Sequence, residues 1–259
     1  MVSLLAALLA PSCVTPPPPI EHGGPHGVVR AFTDDEAREV STIANEMAVE
    51  VSRVLGVEPQ PFVIHVYPDD ADHAAGIRVR RDGRGVVVER LIELRPGVRS
   101  APRFLIAHEL THWNVGRSAW DRLPHYAEEG LCDFVAGVAA PDYWGERVLD
   151  LKVRAAPGLD SPLDEVFSMS SRTWEWADGA VKSSACAIGY FLVDRIGLDR
   201  LRQLCESSVA LGPTDVSIEQ LLEAANLDRA SLMSELSSWG ATADPRPFEL
   251  RLKLRPSGG

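Results

Sequence analysis

The sequence predicts an α+β protein, with a small N-terminal β-sheet carrying one long helix, followed by a mostly helical region. Three observations predict it. Apolar residues recur at helical spacing from Ala37 to Val54. Short β-branched and aromatic runs follow, Phe62-Val63-Ile64-His65-Val66-Tyr67 foremost. Beyond residue 100 the chain turns to long apolar stretches with helix start and stop signals.

Residues 1–12 form an apolar run too short to span a bilayer as a helix. The run suits the core of an export signal, although no Lys or Arg precedes it. Cys13 follows small residues at positions 10 and 12 and resembles a bacterial lipoprotein cleavage site, despite Pro11. The expectation is an exported protein, tethered to a membrane by a lipid on Cys13. Pro16 to Pro19 and Gly23-Gly24-Pro25 read as a stiff tether. Residues 1–26 are therefore expected to be leader and tether, and 27–243 one domain. Within it, 27–99 hold the helix and small sheet, and 100–243 the helical part. Residues 244–259, with Pro245, Pro247 and Pro256, read as a tail.

Thr33 and Glu36 have capping-box spacing at the start of the long helix, and Gly56 ends it. The strand at 62–67 comes next. Asp69 to Asp72 begin a turn or short helix. Ile77 to Arg80 and Gly85 to Val88 flank Asp82-Gly83, a hairpin signal, and Leu91 to Leu94 continue as a strand. The arginines at 78, 80, 81 and 84 read as a solvated face.

Ser100 and Pro102 can open a helix through Phe104-Leu105-Ile106-Ala107, and Gly116 can stop it. Within it stands His108-Glu109-Leu110-Thr111-His112, a match to HExxH. Residues four apart share a helix face, so His108 and His112 can aim two nitrogens at one zinc ion. Glu109 falls beside that point, where a general base for an activated water belongs. A composition with seven His in 259 residues gives such a match by accident in about one chain in seventy. The helix is apolar nearly all round, so the histidines are expected in the interior, where unpaired rings are costly.

After a linker at 117–122, Pro124 can start another helix, His125-Tyr126-Ala127-Glu128-Glu129-Gly130-Leu131-Cys132-Asp133. A catalytic zinc takes three protein ligands. Adjacent glutamates differ by about 100° on a helix, so one of Glu128 and Glu129 is expected to be the third. An HExxH helix followed by a helix with Glu-Gly resembles the gluzincin metallopeptidases, over roughly residues 30–240. The resemblance implies a zincin-like domain and makes Glu129, immediately before Gly130, the ligand. It also makes Asp133, four residues on, the acceptor for the other N–H of His108. Glu128 would then be dispensable for metal binding.

The chain departs from aminopeptidase-type relatives at the tyrosine that stabilises the oxyanion. Counting back from Gly197, that position falls near Lys182, with no tyrosine beside it. Lys182, His125 and Tyr126 are the other donors within reach of the argument. No motif grips a substrate amino terminus, so aminopeptidase activity is not implied. Gly189 to Gly197 resemble the glycine-ended helix that follows the metal helices in bacterial relatives. Asp199 to Cys205, Ser217 to Ala225 with a Ser217/Gln220 capping box, and a helix capped by Asp228 complete the chain.

A net charge of -11 argues against nucleic acid as a partner. Apart from Cys13, Cys132, Cys186 and Cys205 show no zinc-knuckle spacing and allow at most one disulfide. The sequence thus leads to a zinc metallopeptidase acting on peptide or protein substrates. His108, His112 and Glu129 would bind one zinc and Glu109 would be the base. The competing reading is an inactive lipoprotein of the same fold that serves as a binding or assembly factor.

Overall fold

The computed structural model describes residues 17–67, 76–81, 87–94, 102–155, 163–174, 177–211 and 215–242. The Cys13 leader, the turns at 69–72 and 82–83, the side chains of the arginines at 78, 80, 81 and 84, the Ser100 cap and the tail at 244–259 lie outside what the structure describes. The chain is α+β as expected. Five strands, β1 (Ile20–Gly23), β2 (Gly27–Ala31), β3 (Phe62–Val66), β4 (Gly76–Arg81) and β5 (Val87–Leu94), form one sheet in the order β1-β2-β3-β5-β4. The three inner strands β2, β3 and β5 run parallel, and the flanking β1 and β4 run antiparallel to their neighbours.

Between β2 and β3 the chain crosses over through α1 (Asp34–Leu55). Thr33 Oγ1 accepts from the Glu36 N–H, half of the expected box, and Asp34, Asp35 and Glu36 face the positive end of the helix. Gly56 ends it in the left-handed region at φ 65°, which glycine adopts without strain. Ala37, Ala44, Met47, Val51 and Leu55 share the core with Val29, Phe62, Ile64 and Ile92 of the sheet.

The sequence reading had no strand before Phe62. β1 and β2 lie on either side of the boundary expected at residue 26, and both are short. Glu21 and His22 break any apolar alternation in β1, and β2 pairs with β3 more than thirty residues on. That pairing is long-range and leaves no local signal. Across the β1–β2 ladder Arg30 Nε donates to Glu21 at 2.8 Å. The segments expected at 85–88 and 91–94 are one strand, β5, with a bulge opposite Arg80 and Arg81.

The helical part begins with α2 (Pro102–Val115), a 3-10 turn (Ala119–Arg122) and α3 (His125–Ala139). Then come α4 (Trp144–Ala155), α5 (Leu163–Phe167), α6 (Ser171–Trp174) and α7 (Gly179–Ile196). The last are α8 (Leu198–Leu211), α9 (Ile218–Ala224) and α10 (Arg229–Ala241). The Ser217/Gln220 box and the Asp228 cap are both present. The sequence reading did not reach α4, α5 and α6. α4 was within reach, because Val148, Leu151, Lys152 and Ala155 bury one helical face. Among the described residues no helix is long and apolar enough to cross a membrane.

α3 is the axis of this part, buried along nearly all its length between α2 and α7. Gly130 and Gly189 make the close approach to α7 possible. A Cβ on Gly130 would overlap the backbone of Gly189 and Tyr190, and one on Gly189 would overlap the Tyr126 carbonyl. Backbone cannot rotate away as a side chain can. Gly130→Ala or Gly189→Ala should therefore cost at least about 3 kcal/mol, lowering the thermal midpoint by about 6–12 °C. A melting curve within about 2 °C of the parent would show that the two helices can separate freely.

Candidate metal centre

The facing sides of α2 and α3 carry a cluster of histidines, carboxylates and a thiol. His108 and His112 lie one turn apart on α2, their rings edge to face with centroids 4.9 Å apart. Opposite them α3 presents Glu128, Glu129, Cys132 and Asp133. Each imidazole is held by its Nδ1. His108 bonds Asp133 Oδ1 at 3.1 Å, and His112 bonds Glu128 Oε1 at 2.8 Å. Ionised carboxylates only accept, so each Nδ1 carries the proton of its bond.

The other nitrogen of each ring turns toward Glu129. His108 Nε2 is 3.5 Å from Oε2, and His112 Nε2 is 3.4 Å from Oε1. Tetrahedral ligands at about 2.0–2.1 Å from zinc stand about 3.3–3.4 Å apart. The contacts of Glu129 with the two rings, one through each oxygen, are close to that spacing. His108, His112 and Cys132 also bring one donor atom each within 4.8 Å of one another, and that group could hold a metal ion. Glu129 lies between the same two rings and offers one oxygen to each.

The expected bond between Asp133 and His108 is thus present. Glu128 departs from the expectation that it would be dispensable. The 100° between neighbouring helix positions does separate the two glutamates, but the histidines have two nitrogens each. Glu129 lies toward Nε2 of both rings, and Glu128 reaches round to Nδ1 of His112. Each histidine is oriented by its own carboxylate, an arrangement that fixes tautomer and ring direction.

Asp133 is clamped in turn. Arg147 of α4 donates to its second oxygen from Nε at 3.0 Å and Nη2 at 2.7 Å, and its Nη1 reaches Asp150 at 3.4 Å. Sequence reasoning missed Arg147, because an arginine fourteen residues past Asp133 belongs to no spacing rule. Cys132, Cys186 and Cys205 are all free and buried. Burial pushes all three thiols up, Cys205 to about 12.

The electrostatics follow from burying so many charges together. Burial disfavours the His108 imidazolium, but the Asp133 hydrogen bond and the Glu129 carboxylate outweigh it and raise its pKa to about 9. Burial is likewise outweighed at His112, by Cys132 and by the two glutamates, and its pKa rises well above the ordinary value. Burial also opposes the carboxylates, yet the His112 bond brings Glu128 down to about 2. The histidines hold Glu129 well below the carboxylate range, and His108 with Arg147 lowers Asp133. Two imidazoliums and Arg147 then face three carboxylates. A dication that displaces the two imidazolium protons preserves this balance.

Glu109 is half-buried on α2 beside the histidines. Of the donors considered for an oxyanion, His125 lies at the centre, with Nε2 3.4 Å from Glu129. Tyr126 turns away. Its buried hydroxyl has no hydrogen-bond partner, and its electrostatic neighbours are Glu219 and Arg229. Lys182 stands one ring removed, with Nζ 5.7 Å over Trp174. No protein-family model and no curated protein matches the chain.

Two outcomes are expected. Asp133→Ala and Glu128→Ala should each weaken metal binding about 10–100-fold in a chelator competition, with Arg147→Met closer to the lower figure. An unchanged affinity in Glu128→Ala would return that residue to the role of bystander. The second concerns pH. His108 and His112 must lose their protons to bind metal, so binding at pH 7 should release about two protons, measurable by calorimetry in buffers of different ionisation enthalpy. Affinity should rise with pH up to about 9, where His108 titrates. The sign for the metal-free fold is opposite. A raised histidine pKa stabilises it below the unfolded value of 6.5, and that contribution is lost as pH climbs through about 9.

Proposed function

We propose that this protein is a zinc-dependent metallopeptidase that cleaves peptide bonds in peptide or protein substrates. One observation carries the reading. Two histidines of an HExxH helix, each tied at Nδ1 to a carboxylate, turn Nε2 toward one further carboxylate, at 3.5 and 3.4 Å from its two oxygens. His108, His112 and Glu129 would hold the ion, with Asp133 and Glu128 fixing the rings. Glu129 is preferred to Cys132 because its oxygens stand 3.4 and 3.5 Å from the two free nitrogens, and because carboxylate and imidazole are the ligands of catalytic rather than structural zinc. Three protein ligands leave one position for water or substrate.

When bound, zinc would acidify a water and polarise the scissile carbonyl. Glu109 takes the proton of the attacking water as its oxygen bonds to the carbonyl carbon. It passes that proton to the leaving nitrogen as the C–N bond breaks, so that acid and amine products balance the water consumed. The leader at 1–16, with Cys13, adds export and lipid tethering to this reading. The second reading, an inactive binding protein of the same fold, is favoured by the absence of a tyrosine near Lys182. The presence of Glu109 opposes it, since a purely structural ion has no use for a base.

Protein starting at Pro17, which preserves β1, should carry about one zinc per chain by elemental analysis. Glu109→Gln should keep the zinc and lose hydrolysis of a peptide library at least about a hundredfold. Correctly folded protein that takes up no metal after zinc loading would end the proposal. Zinc without any peptidase activity in the parent would select the binding-protein reading.

A further inference from the structure

Cys132 lies on α3 three residues after Glu129, and its side chain is fully buried. It offers a single sulfur to the two histidines of α2. That sulfur and one ring nitrogen of each histidine lie within 4.8 Å of one another. Glu129 meets the same rings differently, with a separate oxygen for each, at 3.5 and 3.4 Å. The histidine pair is therefore offered two third ligands of opposite character by one turn of α3. One is a hard carboxylate and the other a soft thiol. The electrostatic neighbours of the thiol are His112, Glu128 and Glu129, so it belongs to the cluster and not only to the apolar packing of α3.

Softness decides between such donors. Carboxylate oxygen suits hard cations, and thiolate suits soft ones. We propose that the cluster is also a site for a soft divalent cation, held by His108, His112 and the Cys132 thiolate in place of Glu129. Charge balance requires the exchange. A thiolate added to three carboxylates would leave one negative charge without a partner, a costly state in low dielectric. As the S–H bond breaks, the proton passes to the Glu129 carboxylate, which leaves the ion as its O–H bond forms. The dication and Arg147 then face Glu128, Asp133 and the thiolate, three positive charges against three negative. The geometry allows it. Zinc–sulfur bonds of about 2.3 Å and zinc–nitrogen bonds of about 2.0–2.1 Å put tetrahedral sulfur and nitrogen about 3.6 Å apart. The 4.8 Å limit thus leaves at most about 1.2 Å for sulfur and rings to close, and a larger soft ion asks for less. The proposal rests on the metal-binding part of the peptidase reading and adds regulation to it. A soft ion withdraws Glu129 and with it the ligand set on which hydrolysis depends.

The probe is cadmium, added to metal-free protein starting at Pro17, in which Cys132, Cys186 and Cys205 are the only thiols. A cadmium–thiolate bond gives a near-ultraviolet charge-transfer band. The parent and Cys186→Ser should show it, and Cys132→Ser and Cys132→Ala should not. Glu129→Gln should keep the band, because its neutral amide copies the protonated carboxyl, yet bind zinc at least about 100-fold more weakly. In chelator competition Cys132→Ser should bind cadmium at least about 100-fold more weakly and zinc within about threefold of the parent. Its retained zinc shows that the variant folds. An equal fall for both ions would overturn the proposal and make the sulfur a ligand common to both. Loss of the band in Glu129→Gln, its survival in Cys132→Ser, or its absence from a parent that takes up zinc would each overturn it too. A folded parent that binds neither ion would sink the metal reading with it. A parent that binds both ions as expected but cleaves no peptide would end the peptidase reading and leave this assignment supported.

Discussion

Three carboxylates on one helix, two of them buried and one half-buried, are the constraint that the surrounding structure answers. Glu128, Glu129 and Asp133 lie on α3, between α2 and α7, where an unpartnered charge is costly. Every positive group near them comes from another turn or another helix. α2 contributes two histidines and α4 contributes Arg147, and each satisfies a particular oxygen. Breaking one partner would leave a charge stranded in low dielectric, so the three helices are bound to one another through the site as well as through the core. The sheet and α1 carry none of this chemistry. They provide the apolar surface against which α2 is seated, together with the bond from Trp113 Nε1 to the Pro61 carbonyl at 2.9 Å.

The cluster also explains how one constellation can be stable both with and without an ion. Protons on His108 and His112 occupy the electrostatic place of a dication. Binding of a dication there would be an exchange of charge at constant balance rather than an addition of charge to the interior. That condition suits a reversible, open metal position better than a closed structural one, which would tie up all its donors from the moment of folding.

The legible parts of the site were those that one helix period encodes. His108 and His112 at four apart, and Glu129 and Asp133 at four apart, each name a shared face, and both pairs do converge. Glu128 was misread for a geometric reason, because a helix wheel ranks the positions of α3 but says nothing about which nitrogen of a partner ring faces them. Arg147, Trp174 and the wedged ring of His125 depend on how α4 and α6 dock, and no local pattern reports docking. The same division holds for the fold. α1, α9 and α10 announce their ends by caps, whereas β1 and β2 exist only because β3 pairs with them from far along the chain.

The glycine after Glu129 takes on a mechanical meaning here. Gly130 and Gly189 let the backbones of α3 and α7 touch with no side chain between them, directly behind Glu129. Two backbones in such contact leave little room for either helix to shift alone. The Glu129-Gly130 pair therefore ties the place of that carboxylate to the seating of α7, which also packs near α10 through Trp239 against Tyr190 and Phe191. The stiffness of the cluster depends on a surface well outside it.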